Sequence, residues 1–442
     1  MTNDLPASHS RLGTFFVVAV LAAASMWFYF DRILVAYQVA DAAQQERPRG
    51  NLSDLYPRWL GARELLLHHV NPYSDEITLE IQKGYYGRVL DNNRPNDPKD
   101  RQGFAYPLYL VFVLAPLINF PFHNVQIFFH WMLVSLTAAS VCLWLRALQW
   151  RLPCLAVAGC IALTLGSVPA VQGIKLQQIS LLVAGLMAGA VACVAGGYLF
   201  CGGILLALAT IKPQLAWPLV AWLLLWAVSD LRRRRKLVVG FGLTMALLLG
   251  GAEIILPGWW RMFAETVGQY HRYTQNQSVL EQLIPWPYAG KIVAGIAILG
   301  CGLCLWRLRA NPAEGPQFGR AIALAMALTV LVVPMYAPYN QVLLVPAILV
   351  LVRDREFFIS RSRAARFIYL AGAFSIAWQW LASIVLFGAY WLASPAWSLQ
   401  GWKWPFFATF TIPVIAFALT YLDASRTDQR QMVEGAQTAK TT

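Results

Sequence analysis

The residues of this chain best suited to chemistry lie in one acidic stretch near its N-terminus. Eleven of the 22 acidic residues fall between positions 31 and 100. Asp54 lies there, in a segment (52–67) whose apolar positions have helical spacing, and such a segment can lie along a membrane surface. A partly desolvated carboxylate at that surface can remove a proton from a hydroxyl group during group transfer. An Asp before an apolar-periodic run is also a good helix N-cap, so both roles stay open for Asp54.

A second acidic pair, Asp75 and Glu76, follows the turn Asn71-Pro72-Tyr73. The pair could position an acceptor or hold a divalent cation, which prefers oxygen ligands, or it could be solvated. The histidines and cysteines show no metal-ligand spacing, so the sequence indicates no cofactor, with a divalent cation as the one alternative. We expect the other acids that follow in this stretch to be solvated among basic and amide residues: Glu80, Asp91, Asp97 and Asp100.

Two lysines, Lys175 and Lys212, end apolar segments on the side that the topology below predicts to be external. A lysine is a compact cation suited to a phosphate, although snorkelling to the interface explains a terminal lysine equally well. Gln177 follows Lys175, and Pro213 follows Lys212. Polar residues within apolar sequence are costly unless they face one another or a water-filled cavity. Lys175, Gln177 and Lys212 therefore predict an external binding site. The segment that contains Asn276 and Gln277 mixes amide donors with nearby aromatic rings and suits a sugar. Tyr339 and Asn340 belong to the same predicted external face, and Tyr106 is a further candidate for substrate binding.

The composition predicts an integral membrane protein. The 442 residues are 58% hydrophobic and 13% charged, with a mean hydropathy of +0.51, whereas a soluble domain is roughly a quarter charged. The net charge of +13 comes from basic residues at the ends of apolar segments. Basic residues in these positions set the orientation of a protein in the membrane. We therefore exclude nucleic acid as a partner. The seven cysteines all lie in apolar segments and predict core packing, including the CxxC of Cys301 and Cys304.

The apolar segments predict an all-α polytopic protein with about twelve transmembrane helices, since a span needs about 20 apolar residues. Basic clusters place both termini inside if the short, proline-bearing segment 106–121 is re-entrant or juxtamembrane. We expect one transmembrane domain (1–422) with a large first extracytoplasmic loop (31–105), then a disordered cytoplasmic tail (423–442). The predicted spans are 12–30, 125–146, 153–172, 178–195, 197–211, 214–229, 237–256, 291–306, 319–334, 341–352, 367–387 and 404–422.

The chain lacks the motifs of nucleotide-driven and zinc-dependent enzymes. It contains no GxxxxGK[ST], no GxGxxG after a strand and no HExxH, so an activated substrate would have to arrive through the lipid. A flippase or permease would carry charges deep within its spans, and few are present at mid-span. Another lipid-dependent transferase, such as a polymerase or ligase of surface glycans, would place its main loop late in the chain. Here the large acidic loop comes first.

Short motifs in a fixed order resemble the membrane glycosyltransferases of the C superfamily (GT-C), and in particular glycosyltransferase family 87. They cover roughly residues 12–350. In chain order they are Ser53-Asp54 with Tyr56, Asn71-Pro72-Tyr73, Tyr106-Pro107-Leu108 with Pro116, Gln177, Ile211-Lys212-Pro213, Asn276-Gln277-Ser278 and the segment from Pro334 to Tyr339. Many relatives carry a second proline after the tyrosine and a histidine in the last motif. This chain has Leu108 and Tyr336-Ala337-Pro338-Tyr339-Asn340 instead.

The resemblance implies a reaction and its partners. A polyprenyl-phosphate sugar, commonly mannose, would donate to a glycan or glycolipid acceptor by inversion on the extracytoplasmic face of the cell (inner) membrane. The acidic residue of the first outer loop acts as the base in this family, and that role falls on Asp54. The donor phosphate would be bound by Lys212 and Lys175, with Gln177 nearby.

Overall fold

The computed structural model describes residues 9–50, 53–91, 93–274 and 277–426. These residues form α-helices, short 3₁₀-helices and one π-helical stretch, and none of them belongs to a β-strand. The described chain is therefore all-α, as the apolar spacing predicts.

The N-terminal half begins with α1 (His9–Tyr29), which continues through a π-helical stretch (Phe30–Leu34) into α2 (Val35–Gln44). The helices that follow are α3 (Tyr56–His68), α4 (Asp75–Tyr86), α5 (Leu110–Leu114), α6 (Phe122–Ala147), α7 (Cys154–Leu165), α8 (Val168–Lys175), α9 (Ile179–Ala195), α10 (Leu199–Ala209), α11 (Pro213–Val228) and α12 (Leu231–Ile255).

The C-terminal half contains α13 (Trp259–Thr274), α14 (Val279–Leu283), α15 (Ala289–Leu308), α16 (Pro316–Val332), α17 (Val345–Arg353), α18 (Arg355–Arg361), α19 (Arg363–Leu392), α20 (Pro395–Gln400) and α21 (Thr411–Ala424). Short 3₁₀-helices are Ala115–Leu117, Pro338–Leu344 and Trp404–Phe406.

Six helical runs in the described chain are long and apolar enough to cross a membrane. They are Ser10–Gln44, Phe122–Ala147, Leu231–Ile255, Ala289–Leu308, Arg363–Leu392 and Pro395–Ala424. The pair α7 and α8 makes a seventh if these helices, bent by 60°, form one broken span.

The prediction of twelve spans is not confirmed. Every predicted span coincides with helical structure, but five of these helices contain only 10–17 residues, and a span needs about 20. They are Ile179–Ala195, Leu199–Ala209, Pro213–Val228, Pro316–Val332 and Pro338–Arg353. In segment 106–121 the helical part is only α5 and the turn Ala115–Leu117, which extends ~12 Å and is too short to cross ~30 Å of hydrocarbon.

Close packing of small residues holds α10 against α12. A Cβ atom built on Gly203 would lie 2.3 Å from the carbonyl oxygen of Leu237, and one built on Gly240 would lie 2.3 Å from that of Phe200. The two backbones therefore touch, as is common where small residues face each other in membrane helices. This contact fixes α10, whose end leads directly to Lys212.

A buried ionic cluster lies at the N-terminal end of α16. Arg320 contacts Asp354 at 3.3 Å and Asp423 at 3.5 Å, and Arg426 contacts Asp423 at 3.2 Å. Asp423 lies in α21 and is fully buried, so the predicted tail boundary at residue 423 falls inside an ordered helix. The rest of that predicted tail, 427–442, lies outside the described residues.

Candidate active site

Asp54 is held by the turn that joins α8 to α9. Its backbone N–H donates to the carbonyl oxygen of Leu176 at 2.9 Å, and its carboxylate accepts a hydrogen bond from the side-chain amide of Gln178. The N-cap of α3 is Leu55, and no side chain caps that helix end. The N-cap role that the sequence left open for Asp54 is therefore wrong, and its carboxylate is directed at a distant part of the chain.

Lys212 supplies a buried cation beside this carboxylate. Its ammonium group donates to the hydroxyl of Ser180 at 2.7 Å and contacts the amide oxygen of Gln178 at 3.5 Å. The rings of Tyr106 and Tyr339 have their centroids 6.0 Å and 5.3 Å away, within range of a cation–π interaction. In the described chain no carboxylate lies within ion-pair distance of Lys212, so its charge remains available to an anion.

Arg58 is a second cation in the site, and the sequence analysis missed it. Its guanidinium lies 4.9 Å from the ring centroid of Tyr106. The Nε and Nη1 atoms are buried and have no hydrogen-bond partner in the described structure. Burying a guanidinium without hydrogen-bond partners costs free energy, and its planar fork of donors matches pairs of oxygens on a phosphate or a carboxylate. The available signal was its position four residues after Asp54, a spacing that brings side chains together where the chain is helical, although α3 begins only at Tyr56.

The environment of Asp100 differs from the one predicted from the sequence. The sequence predicted that it would be solvated, but it lies in the wall of the cavity that contains Asp54. Its carboxylate accepts hydrogen bonds from the backbone and side-chain amides of Gln102 at 2.9 Å and 3.1 Å, and burial raises its pKa. By contrast, Asp97 does not line this cavity, and its hydrogen bonds with Arg88 lower the pKa of Asp97 to about 2.

These groups surround one cavity of about 630 Å³, a volume typical of small-molecule sites. We call it the catalytic cavity. It is lined by Asp54, Arg58, Asp100, Gln102, Ala105, Tyr106, Pro107, Gln178, Ile211, Lys212, Pro213, Gln214, Phe263, Val267, Tyr270, His271, Pro334, Met335 and Tyr339. The cavity thus contains two carboxylates (Asp54 and Asp100) and two cations (Arg58 and Lys212), and the rest of its lining includes tyrosine rings and apolar side chains.

The environment of Asp54 raises its pKa. Burial is the main cause, and the neighbouring charge of Asp100 acts in the same direction. The cations Arg58 and Lys212 and the hydrogen bond from Gln178 lower the pKa but do not cancel the effect of burial. A carboxylate with a raised pKa accepts a proton more readily than a solvated one, which is what a general base requires.

Several other residues predicted for the site lie elsewhere. Lys175 forms an ion pair with Asp31 and lies 5.4 Å from the ring centroid of Trp27, so it does not line the catalytic cavity. The amide of Gln177 bonds to the carbonyl oxygens of Ile174 and Lys175 at 3.0 Å and 2.9 Å. Its neighbour Gln178 reaches the cavity instead.

The remaining predicted residues separate into three groups. Tyr106 and Tyr339 line the catalytic cavity, and Asn340 lies behind it, where its amide oxygen accepts from the hydroxyl of Ser180 at 2.9 Å. Asp75 and Glu76 are exposed in the first turn of α4, where acidic residues stabilise the helix dipole. Gln277 lines a neighbouring cavity, and Asn276 lies outside the described residues.

Among the described residues, no group of three or more His, Cys, Asp or Glu side chains could hold a metal ion. Asp54 and Asp100 are the carboxylates that line the catalytic cavity.

The bundle of apolar helices with a polar, charged chamber at one end defines a multi-pass membrane protein with an enzyme-like cavity. A family model for glycosyltransferase family 87 matches residues 104–334, just over half of the chain. The chain therefore belongs to this family of membrane glycosyltransferases of the GT-C type, which confirms the resemblance found in its motifs. No curated protein and no solved structure matches it significantly.

Proposed function

We propose that this protein transfers a sugar, with mannose as the first candidate, from a polyprenyl-phosphate donor to an extracytoplasmic glycan or glycolipid. One observation carries the proposal. The catalytic cavity holds a carboxylate of raised pKa, Asp54, together with two cations, Arg58 and Lys212, and among the described residues neither cation has an anionic partner within ion-pair distance. That combination suits a reaction in which one oxygen loses a proton while a phosphate gains charge.

In the proposed step the acceptor oxygen attacks the anomeric carbon. Asp54 takes the proton of the acceptor hydroxyl, and the bond between the anomeric carbon and the phosphate oxygen breaks. The electron pair of that bond leaves with the polyprenyl phosphate, whose growing charge Lys212 and Arg58 stabilise. Donors that face a developing charge in a water-poor site typically contribute 10²–10³-fold in rate.

We infer inversion at the anomeric carbon because Asp54 acts as a base in this step and not as a nucleophile. A retaining double displacement would require a second carboxylate group ~5 Å from the first. Asp100 is the alternative nucleophile, since it lines the same cavity. The anomeric configuration of the product discriminates between these two routes.

We also infer that the cavity opens on the extracytoplasmic side of the cell membrane. Pro334, just after the end of α16, lines the catalytic cavity. Arg320, near the beginning of α16, belongs to the buried ionic cluster, where Arg320, Arg353 and Arg426 all contact Asp354. Fourteen residues of helix separate these positions by ~20 Å. Basic clusters favour the cytoplasmic side, which supports an external location for the cavity.

The experiment is a transfer assay with stereochemical readout. Purified protein in nanodiscs is incubated with radiolabelled polyprenyl-phosphate mannose and a pool of glycan and glycolipid acceptors, and the product linkage is determined by NMR. We expect labelled acceptor whose anomeric configuration is opposite to that of the donor. Retained configuration would contradict the inverting route. Absence of transfer, with arabinofuranose-linked lipid also inactive, would contradict the proposed reaction and favour a flippase or permease.

A further inference from the structure

A second cavity adjoins the catalytic cavity and has polar and apolar parts. We call it the side cavity. Its volume is about 490 Å³, and it is lined by His271, Gln277, Ser278, Glu281, Lys291, Ala294, Gly295, Ile298, Val332 and Pro334. His271 and Pro334 line both cavities. The two chambers therefore share a wall, and a ligand in one is adjacent to a ligand in the other.

The polar part of the side cavity resembles a sugar-binding surface more than a phosphate site. It combines the exposed amide of Gln277, the carboxylate of Glu281 and the ammonium of Lys291. Lys291 and Glu281 approach each other at 3.8 Å, so this cation is partly neutralised. A mixture of amide, carboxylate and amine can bond sugar hydroxyls as both donor and acceptor. The cations suited to a phosphate, Arg58 and Lys212, lie in the catalytic cavity.

The apolar part of the side cavity faces the lipid. Ala294, Gly295 and Ile298 lie on α15, which is a candidate membrane span. The neighbouring side chains Ile296 and Leu299 are 65% and 66% exposed, so this helix contacts hydrocarbon. Two exposed aromatic residues, Trp286 and Tyr288, precede α15. Exposed Trp and Tyr side chains at the end of a span are typical of a membrane interface.

We propose that the side cavity binds a lipid-anchored acceptor, with its sugar head group at Gln277 and Lys291 and its hydrocarbon chain against α15. This rests on the proposed function and specifies the acceptor as a glycolipid. The donor has its own apolar wall in the catalytic cavity, formed by Ile211, Phe263 and Val267. The second substrate needs a separate site next to the catalytic cavity, and the side cavity adjoins it at His271 and Pro334.

Two glycines of α15 give a matched pair of test variants. A Cβ atom built on Gly295 or on Gly302 meets no atom of the described chain within 4 Å, so both positions have open space where a leucine side chain would begin. Seven residues are nearly two helical turns, which puts both on the same lipid-facing side. Gly295 lines the side cavity and Gly302 does not. Gly295→Leu therefore narrows the cavity, and Gly302→Leu is the control.

The test measures binding without the donor. Wild type, Gly295→Leu and Gly302→Leu in nanodiscs are incubated with radiolabelled dimannosyl diacylglycerol. The label retained above that of empty nanodiscs is compared with that of the same disaccharide as its methyl glycoside. We expect Gly295→Leu to weaken glycolipid binding roughly tenfold, because the leucine side chain takes up part of the space proposed for the hydrocarbon chain. Gly302→Leu should bind like wild type, and the methyl glycoside should be unaffected by either change.

Three outcomes would overturn the proposal: no retention of the glycolipid by wild type, equal retention by Gly295→Leu, or an equal loss in Gly302→Leu. Donor binding provides a further check, because a raised KM for polyprenyl-phosphate sugar in Gly295→Leu would place the donor chain in this cavity. The binding test does not require sugar transfer. A loss of glycolipid binding in Gly295→Leu would therefore support the side cavity as a glycolipid site even if the proposed reaction failed.

Discussion

The side-chain amide of Gln178 donates a hydrogen bond to the carboxylate of Asp54, although 124 residues separate the two in sequence. The amide oxygen of the same side chain lies 3.5 Å from the ammonium group of Lys212. Gln178 therefore links the proposed base to the proposed phosphate-binding cation. It fixes their relative positions before any substrate binds, which is the preorganisation that electrostatic catalysis needs.

Replacing Gln178 should weaken catalysis, whereas replacing its neighbour should weaken the fold. We expect Gln178→Leu to lower kcat about 10- to 100-fold, since a hydrogen bond to a charged group contributes ~1.5–3 kcal/mol. Gln177→Leu loses only bonds to Ile174, Lys175 and Gln126. It should lower the melting temperature and leave kcat of the folded fraction unchanged. Equal kcat values for the two variants would contradict a contribution of Gln178 to catalysis.

The two lysines that look alike in sequence should differ in function. Lys212→Gln removes a buried cation from the catalytic cavity and should lower kcat/KM by about 10²-fold, as loss of one charge-stabilising donor does. Lys175→Gln breaks a partly exposed pair with Asp31, which typically contributes at most ~1 kcal/mol, and transfer should stay near the wild-type rate. Steady-state kinetics with polyprenyl-phosphate mannose tests this. Equal losses in both variants would favour a shared phosphate site.

Arg58 should affect both the rate and its pH dependence. The rate should rise with pH as Asp54 ionises, and because its pKa is raised the rising limb should lie above the ordinary carboxyl value of 3.8. The charge of Arg58 lowers the pKa of Asp54, so Arg58→Gln should move this limb to still higher pH and lower kcat/KM about 10²-fold.

The control for Arg58 is Arg63, which lies on the same helix with its guanidinium 5.6 Å from the ring centroid of Trp59. It does not line the catalytic cavity. Arg63→Gln should leave the pH–rate profile unchanged. A limb that stays in place in Arg58→Gln, or moves equally in both variants, would contradict the proposed electrostatic coupling.

Asp54 should also lower stability at neutral pH. Its pKa in the folded protein is raised by burial, so the ionised form is disfavoured by folding. The cost is absent below the ordinary pKa of the unfolded chain and fully present above the raised pKa. Asp54→Asn is neutral throughout, and we expect it to melt roughly 1–3 °C above wild type at pH 7. The difference should disappear on acidification. A lower melting temperature at pH 7 would contradict the burial argument.

Local patterns in the sequence predicted where the helices lie but not how many of them cross the membrane. Apolar runs locate each helix, because burial and lipid contact both require them. Helix length decides whether a run spans, and at α9, α10 and α11 turns interrupt the apolar sequence before a full span is complete. A turn such as that of Gly196 and Gly197 between α9 and α10 shortens the helix without interrupting the apolar pattern, so composition alone does not reveal it.

The site could be predicted only in part for a related reason. Asp54 and Lys212 stood out because each lies at the edge of an apolar run, but Lys175 gave the same signal. What separates the two lysines is Asp31, 144 residues away from Lys175. Asp100 looked solvated in sequence and is enclosed only by tertiary packing. Long-range contacts of this kind leave no periodic pattern in one sequence.

The central claim is that Asp54 is the base, and one comparison tests it most directly. Asp54→Asn keeps the shape of the side chain and its ability to accept a hydrogen bond from Gln178, while Asp75→Asn changes an exposed acid outside the cavity. With radiolabelled polyprenyl-phosphate mannose, we expect transfer by Asp54→Asn to fall about 10²–10⁴-fold and transfer by Asp75→Asn to match wild type. Equal transfer by wild type and Asp54→Asn would contradict the account.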